Sequence, residues 1–192
     1  MNFIEIFTLV SGVIYIILEI RQRQLMWILG IMTSAASMWV FFRQGLYASF
    51  GLNTYYLIVS FIGLWQWARY KRESRTVPEN SSQEHIIVNP LKISVVIVSV
   101  LAFILGVLGL ASLMKTVENP MSWLDSAVAV LSAIATWWLV KAYLQQWLLW
   151  VAANLLSTVL CLSQGLWWMS ALYILYSLSA VYGLYYWKKY SI

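Results

Sequence analysis

Trp147, Trp150, Asn154, Ser157 and Cys161 recur at steps of three and four residues inside an apolar run. That spacing puts them on one face of a helix. Two indoles and an amide on one face form a surface that stacks on a flat ring and draws a cation over the ring planes. Each such contact is worth roughly 0.5–2 kcal/mol when desolvated, and the amide of Asn154 sets orientation by hydrogen bonding. A second run has the same spacing with Trp27, Gly30, Ser34, Ser37 and Phe41. The two stripes differ at Gly30 against Trp150 and at Ser34 against Asn154, an asymmetry suited to gripping an asymmetric ligand. The competing role for both stripes is helix packing, in which tryptophan fills space and an intramembrane Asn joins helices at about 1 kcal/mol.

Asn53, Tyr56 and Ser60 share a face of a third apolar run, and Tyr173, Tyr176 and Ala180 share one near the end of the chain. The candidate substrate-binding residues are therefore Trp27, Asn53, Tyr56, Trp147, Trp150, Asn154, Tyr173 and Tyr176. Glu5, Glu19 and Asp125 fall close to the ends of apolar runs. Acids at helix N-termini are favoured by the dipole, which accounts for Glu5 and Asp125 without substrate. Catalytic chemistry has no material here. The one histidine, His85, lies in a polar stretch, the one thiol, Cys161, has no second cysteine, and no glycine-rich phosphate loop with a following Lys and Ser or Thr occurs. No enzyme, metal site or cofactor is expected.

The elements that must hold these residues are membrane spans. With 62% apolar and 10% charged residues, the chain lacks the polar surface that a soluble domain needs. Twelve tryptophans and twelve tyrosines, several at the ends of apolar runs, suit the headgroup level. Basic residues sit at the borders of those runs and form no stripe with interleaved aromatics, so nucleic acid is not an expected partner. A spanning helix needs roughly 20 apolar residues, and runs of that kind lie near 3 to 20, 25 to 42, 48 to 68, 93 to 114, 123 to 140, 147 to 163 and 169 to 187. The first run lacks a basic leader and a small-residue cleavage site, so it is expected to be a mature helix. Ten Lys and Arg fall on one side of the seven spans, and only Arg43 and Lys115 on the other, which predicts an outside N-terminus and a cytoplasmic C-terminus.

Laid on itself with a shift of 120 residues, the chain matches at about fifteen of 72 positions. Gln44-Gly45-Leu46 falls on Gln164-Gly165-Leu166, Gly63-Leu64 with Trp67 on Gly183-Leu184 with Trp187, Trp27 on Trp147, and Tyr56 on Tyr176. The expected organisation is an all-α integral membrane protein with a 3+1+3 parallel internal repeat. The first three-helix unit covers 1–72, a cytoplasmic linker 73–90, a linker helix 91–115 and the second unit 121–192. Parallel repeats about an axis along the membrane normal are one plan of secondary transporters, with substrate held near the midplane.

Trp123-Leu-Asp125-Ser126, Gln146-Trp147-Leu-Leu-Trp150-Val-Ala-Ala-Asn154 and Gln44-Gly45-Leu46-Tyr47-Ala48, together with the helix layout, resemble the Pnu family of bacterial vitamin transporters. The chain is also similar to SWEET sugar transporters in helix count and duplication, although stacking residues suit an aromatic vitamin better than a bare sugar. The Pnu resemblance implies facilitated diffusion by alternating access in the bacterial inner membrane, a homotrimer, and trapping of the vitamin by a cytoplasmic kinase. Thiamine is expected over nicotinamide riboside. Members of the riboside branch carry a Ser-Asn-Tyr stretch where this chain has Arg23-Gln-Leu-Met-Trp27, and Asn53 and Asn154 are few amides for a ribose. A membrane scaffold that transports nothing is the alternative from another class.

Overall fold

The computed structural model describes residues 3–43, 47–74, 86–115 and 122–191. The Gln44-Gly45-Leu46 turn and most of the polar linker, 75–85, lie outside the described residues. Among the described residues are seven helices: α1 (Phe3–Ile20), α2 (Leu25–Arg43), α3 (Tyr47–Ser74), α4 (Ile93–Lys115), α5 (Ser122–Val140), α6 (Gln146–Ser163) and α7 (Trp167–Tyr190). The apolar runs of the sequence and these helices coincide within a few residues, except at the C-terminal end of α3. That helix runs on through Ala68, Arg69, Tyr70, Lys71 and Arg72 to Ser74, because no Gly or Pro interrupts it and these residues are mostly good helix formers. Its 28 residues reach about 42 Å at 1.5 Å per residue, beyond a hydrocarbon core of about 30 Å. The charged end therefore projects from the membrane.

Within the described residues, the stretches Ile93–Leu113, Trp123–Val140 and Gln146–Ser163 are long and apolar enough to cross a bilayer by length and composition alone. The tryptophan and tyrosine content of α3 and α7 lowers their hydropathy without making them unsuited to lipid, since such rings favour the interface.

The chain divides into two compact units. One holds α1 to α3, the chain around Ile86 and Ile87, and Tyr190 and Ser191; the other runs from Val88 to Lys189. In the first, α1 packs on α2 and α2 on α3. At Gly30 a Cβ would lie 2.8 Å from Ser60 Oγ and 3.6 Å from its Cβ, so α2 and α3 meet there with the Ser60 hydroxyl filling the place of a side chain. In the second, α4 packs on α5 and α5 on α6. At Gly106 a Cβ would lie 3.0 Å from both Val130 methyls, and Trp138 Nε1 donates to Ser99 Oγ at 3.0 Å, so α4 is bound to α5 by both shape and a hydrogen bond.

Each unit turns a corner of the same construction. After α1, Arg23 N donates to Leu18 O at 2.8 Å and Gln22 N to Glu19 O at 3.0 Å, with Gln22 left-handed at φ 49. After α5, Tyr143 N donates to Trp138 O at 3.0 Å and Ala142 N to Leu139 O at 2.9 Å, with Ala142 at φ 54. These are Schellman ends in which the left-handed position, usually glycine, is held by another residue at a cost of about 1–2 kcal/mol. At the end of α6 the same motif uses Gly165, at φ 72, with Leu166 N on Cys161 O at 2.9 Å.

The left-handed Gln22 aims its side chain at the chain leaving the linker. Gln22 Nε2 donates to Ile87 O at 2.8 Å and Ile87 N donates to Gln22 Oε1 at 2.9 Å, while Ile86 N donates to Tyr190 O at 2.9 Å. In the second unit Asn89 plays the reciprocal part, with its N on Ala142 O at 3.0 Å and its Nδ2 on Lys141 O at 2.7 Å.

Candidate functional site

The aromatic positions singled out by spacing divide into two groups. Trp27 and Trp147 are shut inside their own units. The Trp27 ring meets Trp67 edge-on, with centroids 5.2 Å apart and planes at 85°, and a Cβ on Gly63 would lie 2.6 Å from it. The Trp147 ring meets Trp187 at 5.5 Å and 89°, and a Cβ on Gly183 would lie 2.6 Å from it. Both indoles are fully buried. Each glycine is absent a side chain so that an indole can lie flat on the neighbouring helix, and edge-to-face pairing adds roughly 0.5–1.5 kcal/mol to the buried area. Neither ring face is left open in this arrangement.

Trp150 and Asn154 form the second group. One turn on from Trp147, Trp150 is only half-buried, which sets its ring apart, while its Nε1–H, like those of Trp27 and Trp147, is buried and has no hydrogen-bond partner. Asn154 is 8% exposed, and its backbone carbonyl is occupied by Thr158 Oγ1 at 2.8 Å. Ser157 turns its hydroxyl back to Ala153 O at 2.9 Å. The hydroxyls along this stripe are thus bound to their own helix, which leaves the indole and the amide as the groups free to act outside it.

On α7, Tyr173 and Tyr176 are half-buried and stand edge-to-face at 6.2 Å and 87°. On α3, Asn53 and Tyr56 are half-buried, with Tyr56 against Tyr55 at 5.6 Å and 61°. The first unit has no equivalent of the α6 pair: Gly30 stands where a shift of 120 residues puts Trp150, and buried Ser34 where it puts Asn154. A Cβ at Gly30 would meet the Ser60 hydroxyl at 2.8 Å.

Spacing alone missed one group. Gln146, the first residue of α6, is completely buried, and neither its Oε1 nor its Nε2 has a partner. Its place four residues before Trp150 and eight before Asn154 was the available signal.

The family model described as nicotinamide mononucleotide transporter matches residues 2–189. The chain is 26% identical over 200 residues to the nicotinamide riboside transporter PnuC of Escherichia coli, covering 95% of this chain and 84% of that protein. It is 22% identical over 189 residues to the PnuC of Neisseria mucosa, covering 94% and 70%. The fold is similar to that of the crystal structure of the vitamin B3 transporter PnuC, with a TM-score of 0.67 and 21% identity over 94% of this chain and 78% of that one. A seven-helix architecture among the described residues and a family match over nearly its whole length place this chain, a multi-pass protein of the bacterial inner membrane, in the nicotinamide mononucleotide transporter (Pnu) family.

Proposed function

We propose that this protein carries a cationic aromatic vitamin across the inner membrane by facilitated diffusion, with nicotinamide riboside as its substrate. The relatives it resembles over most of their length are named for that riboside, which favours it over the thiamine expected from the amide count. The observation that carries the proposal is Trp150: a large half-buried ring with a buried, unpartnered N–H donor, one turn from a buried Asn, on a face whose counterpart in the first unit carries Gly30 instead of a ring. Trp150 stacks on the pyridinium, and Asn154, Tyr173 and Tyr176 supply polar and aromatic walls. Asn53 and Tyr56 are the first unit's candidates. Trp27 and Trp147 act as internal locks that keep their units rigid.

The proposal includes the 3+1+3 repeat with an outside N-terminus. Its support is the recurrence, at a shift of 120 residues, of the left-handed corner, the Trp–Gly–Trp contact and the helix order. Units locked internally in this way move as bodies, which alternating access requires. Trapping by a cytoplasmic kinase and assembly as a trimer follow from the family resemblance. The test is uptake of labelled nicotinamide riboside into proteoliposomes loaded with unlabelled riboside and without an ion gradient. Exchange that saturates, and that thiamine does not inhibit, supports the proposal; no exchange above empty liposomes refutes it.

A further inference from the structure

Gln146 and Met26 stand at matching places in the two units, each the residue before the locked tryptophan. Both are completely buried. The fold therefore accepts an unbranched apolar side chain of similar length at this position, and packing alone does not call for an amide. Yet the second unit has one, with its Oε1 and Nε2 both buried and unpartnered. Leaving a buried donor and acceptor unmet is costly compared with an apolar side chain of the same shape. An amide kept under those terms is kept for a partner that comes from outside the chain.

The position of Gln146 names the partner. Gln146, Trp150 and Asn154 are spaced by four residues, so they rise along one stripe of α6 at about 6 Å per step. A ring stacked on Trp150 thus has an edge within reach of the residue one step below. A glutamine amide offers one acceptor and two donors in a plane. Its complement is a planar group that also carries both, above all a primary carboxamide, which pairs with it through two antiparallel hydrogen bonds. A carboxylate has acceptors only and would set an oxygen against Oε1.

We infer that Gln146 is a specificity-determining residue that reads the carboxamide of a pyridinium ligand stacked on Trp150 and rejects the corresponding carboxylate. This rests on the substrate class proposed above. The test uses purified full-length protein and calorimetric titration with nicotinamide riboside and nicotinic acid riboside, on the wild type and on Gln146→Met, the residue that the first unit already carries. The wild type is expected to favour the amide. In Gln146→Met the amide affinity is expected to fall about tenfold or more, as the loss of a buried amide pair predicts, with the preference between the two ligands collapsing. A purely structural role would weaken both ligands by the same factor, and an unchanged preference in Gln146→Met overturns the inference. Should Gln146→Met fail to fold, Gln146→Leu carries the same comparison. If the wild type binds neither riboside, the proposed function itself falls and the inference with it. If the wild type binds the amide riboside but its preference does not depend on residue 146, only the inference falls.

Discussion

A methyl group at Gly183 would lie 2.6 Å from the Trp147 ring, and one at Gly63 would lie equally close to Trp27. Both rings are pinned by their edge-on partners, so neither yields without strain. Gly183→Ala and Gly63→Ala are each expected to cost about 1–3 kcal/mol as overpacking, read as a lower unfolding temperature in detergent. Trp150→Ala is expected to leave that temperature near the wild-type value, since a half-buried indole contributes less to packing, while removing ligand binding. A drop in stability for Trp150→Ala as large as that for Gly183→Ala would assign the ring to packing instead. This division was only half legible in the residues themselves. Spacing places Trp27, Trp147 and Trp150 on stripes correctly, but a stripe does not say whether its rings meet a helix or open space. The deciding signal lay at a distance in sequence, in Gly63 with Trp67 and Gly183 with Trp187, which the 120-residue shift had paired without revealing what they pack against. Gln146 was hidden for a different reason: its spacing from Trp150 and Asn154 puts it on their stripe, but a buried amide is singled out only once its missing partners are seen.

The helices were readable nearly to their ends, because runs of about 20 apolar residues between charged borders admit few other structures in lipid. What the pattern could not give is how the polar linker returns. The bidentate grip of Gln22 on Ile87 and the two bonds from Asn89 to Lys141 and Ala142 join residues far apart in the chain, and no periodicity announces them. Gln22→Ala removes two hydrogen bonds at about 1 kcal/mol each. Amide exchange at Ile87 is expected to speed up by about tenfold or more, with helix interiors in α2 unchanged. Equal exchange in wild type and Gln22→Ala would mean that the grip does not hold the linker in solution.

At the scale of the whole molecule, the distribution of basic residues is what supports the proposed orientation. Counted on alternate sides of seven spans, ten Lys and Arg fall on one side and two on the other, so the proposal has an outside N-terminus by the positive-inside rule. In a Cys161→Ser background, a Ser191→Cys probe is expected to react with a membrane-impermeant maleimide only after the cytoplasmic side is opened; labelling in intact cells would reverse the topology. The transporter family was visible from sequence, because its motifs on α5 and α6 stand in the chain as written, and the proposed repeat draws on corner and lock residues that recur at a shift of 120. The choice between two aromatic cations was not visible there, since the expectation of thiamine rested on counting amides, whereas the relatives' names favour the riboside. The most direct test of the central claim, a riboside held on the Trp150 face of α6, is tryptophan fluorescence titration of wild type and Trp150→Ala with nicotinamide riboside and with thiamine. Saturable quenching by the riboside in the wild type, absent in a folded Trp150→Ala and absent with thiamine, is the predicted result; quenching that persists in Trp150→Ala, or that only thiamine produces, would contradict it.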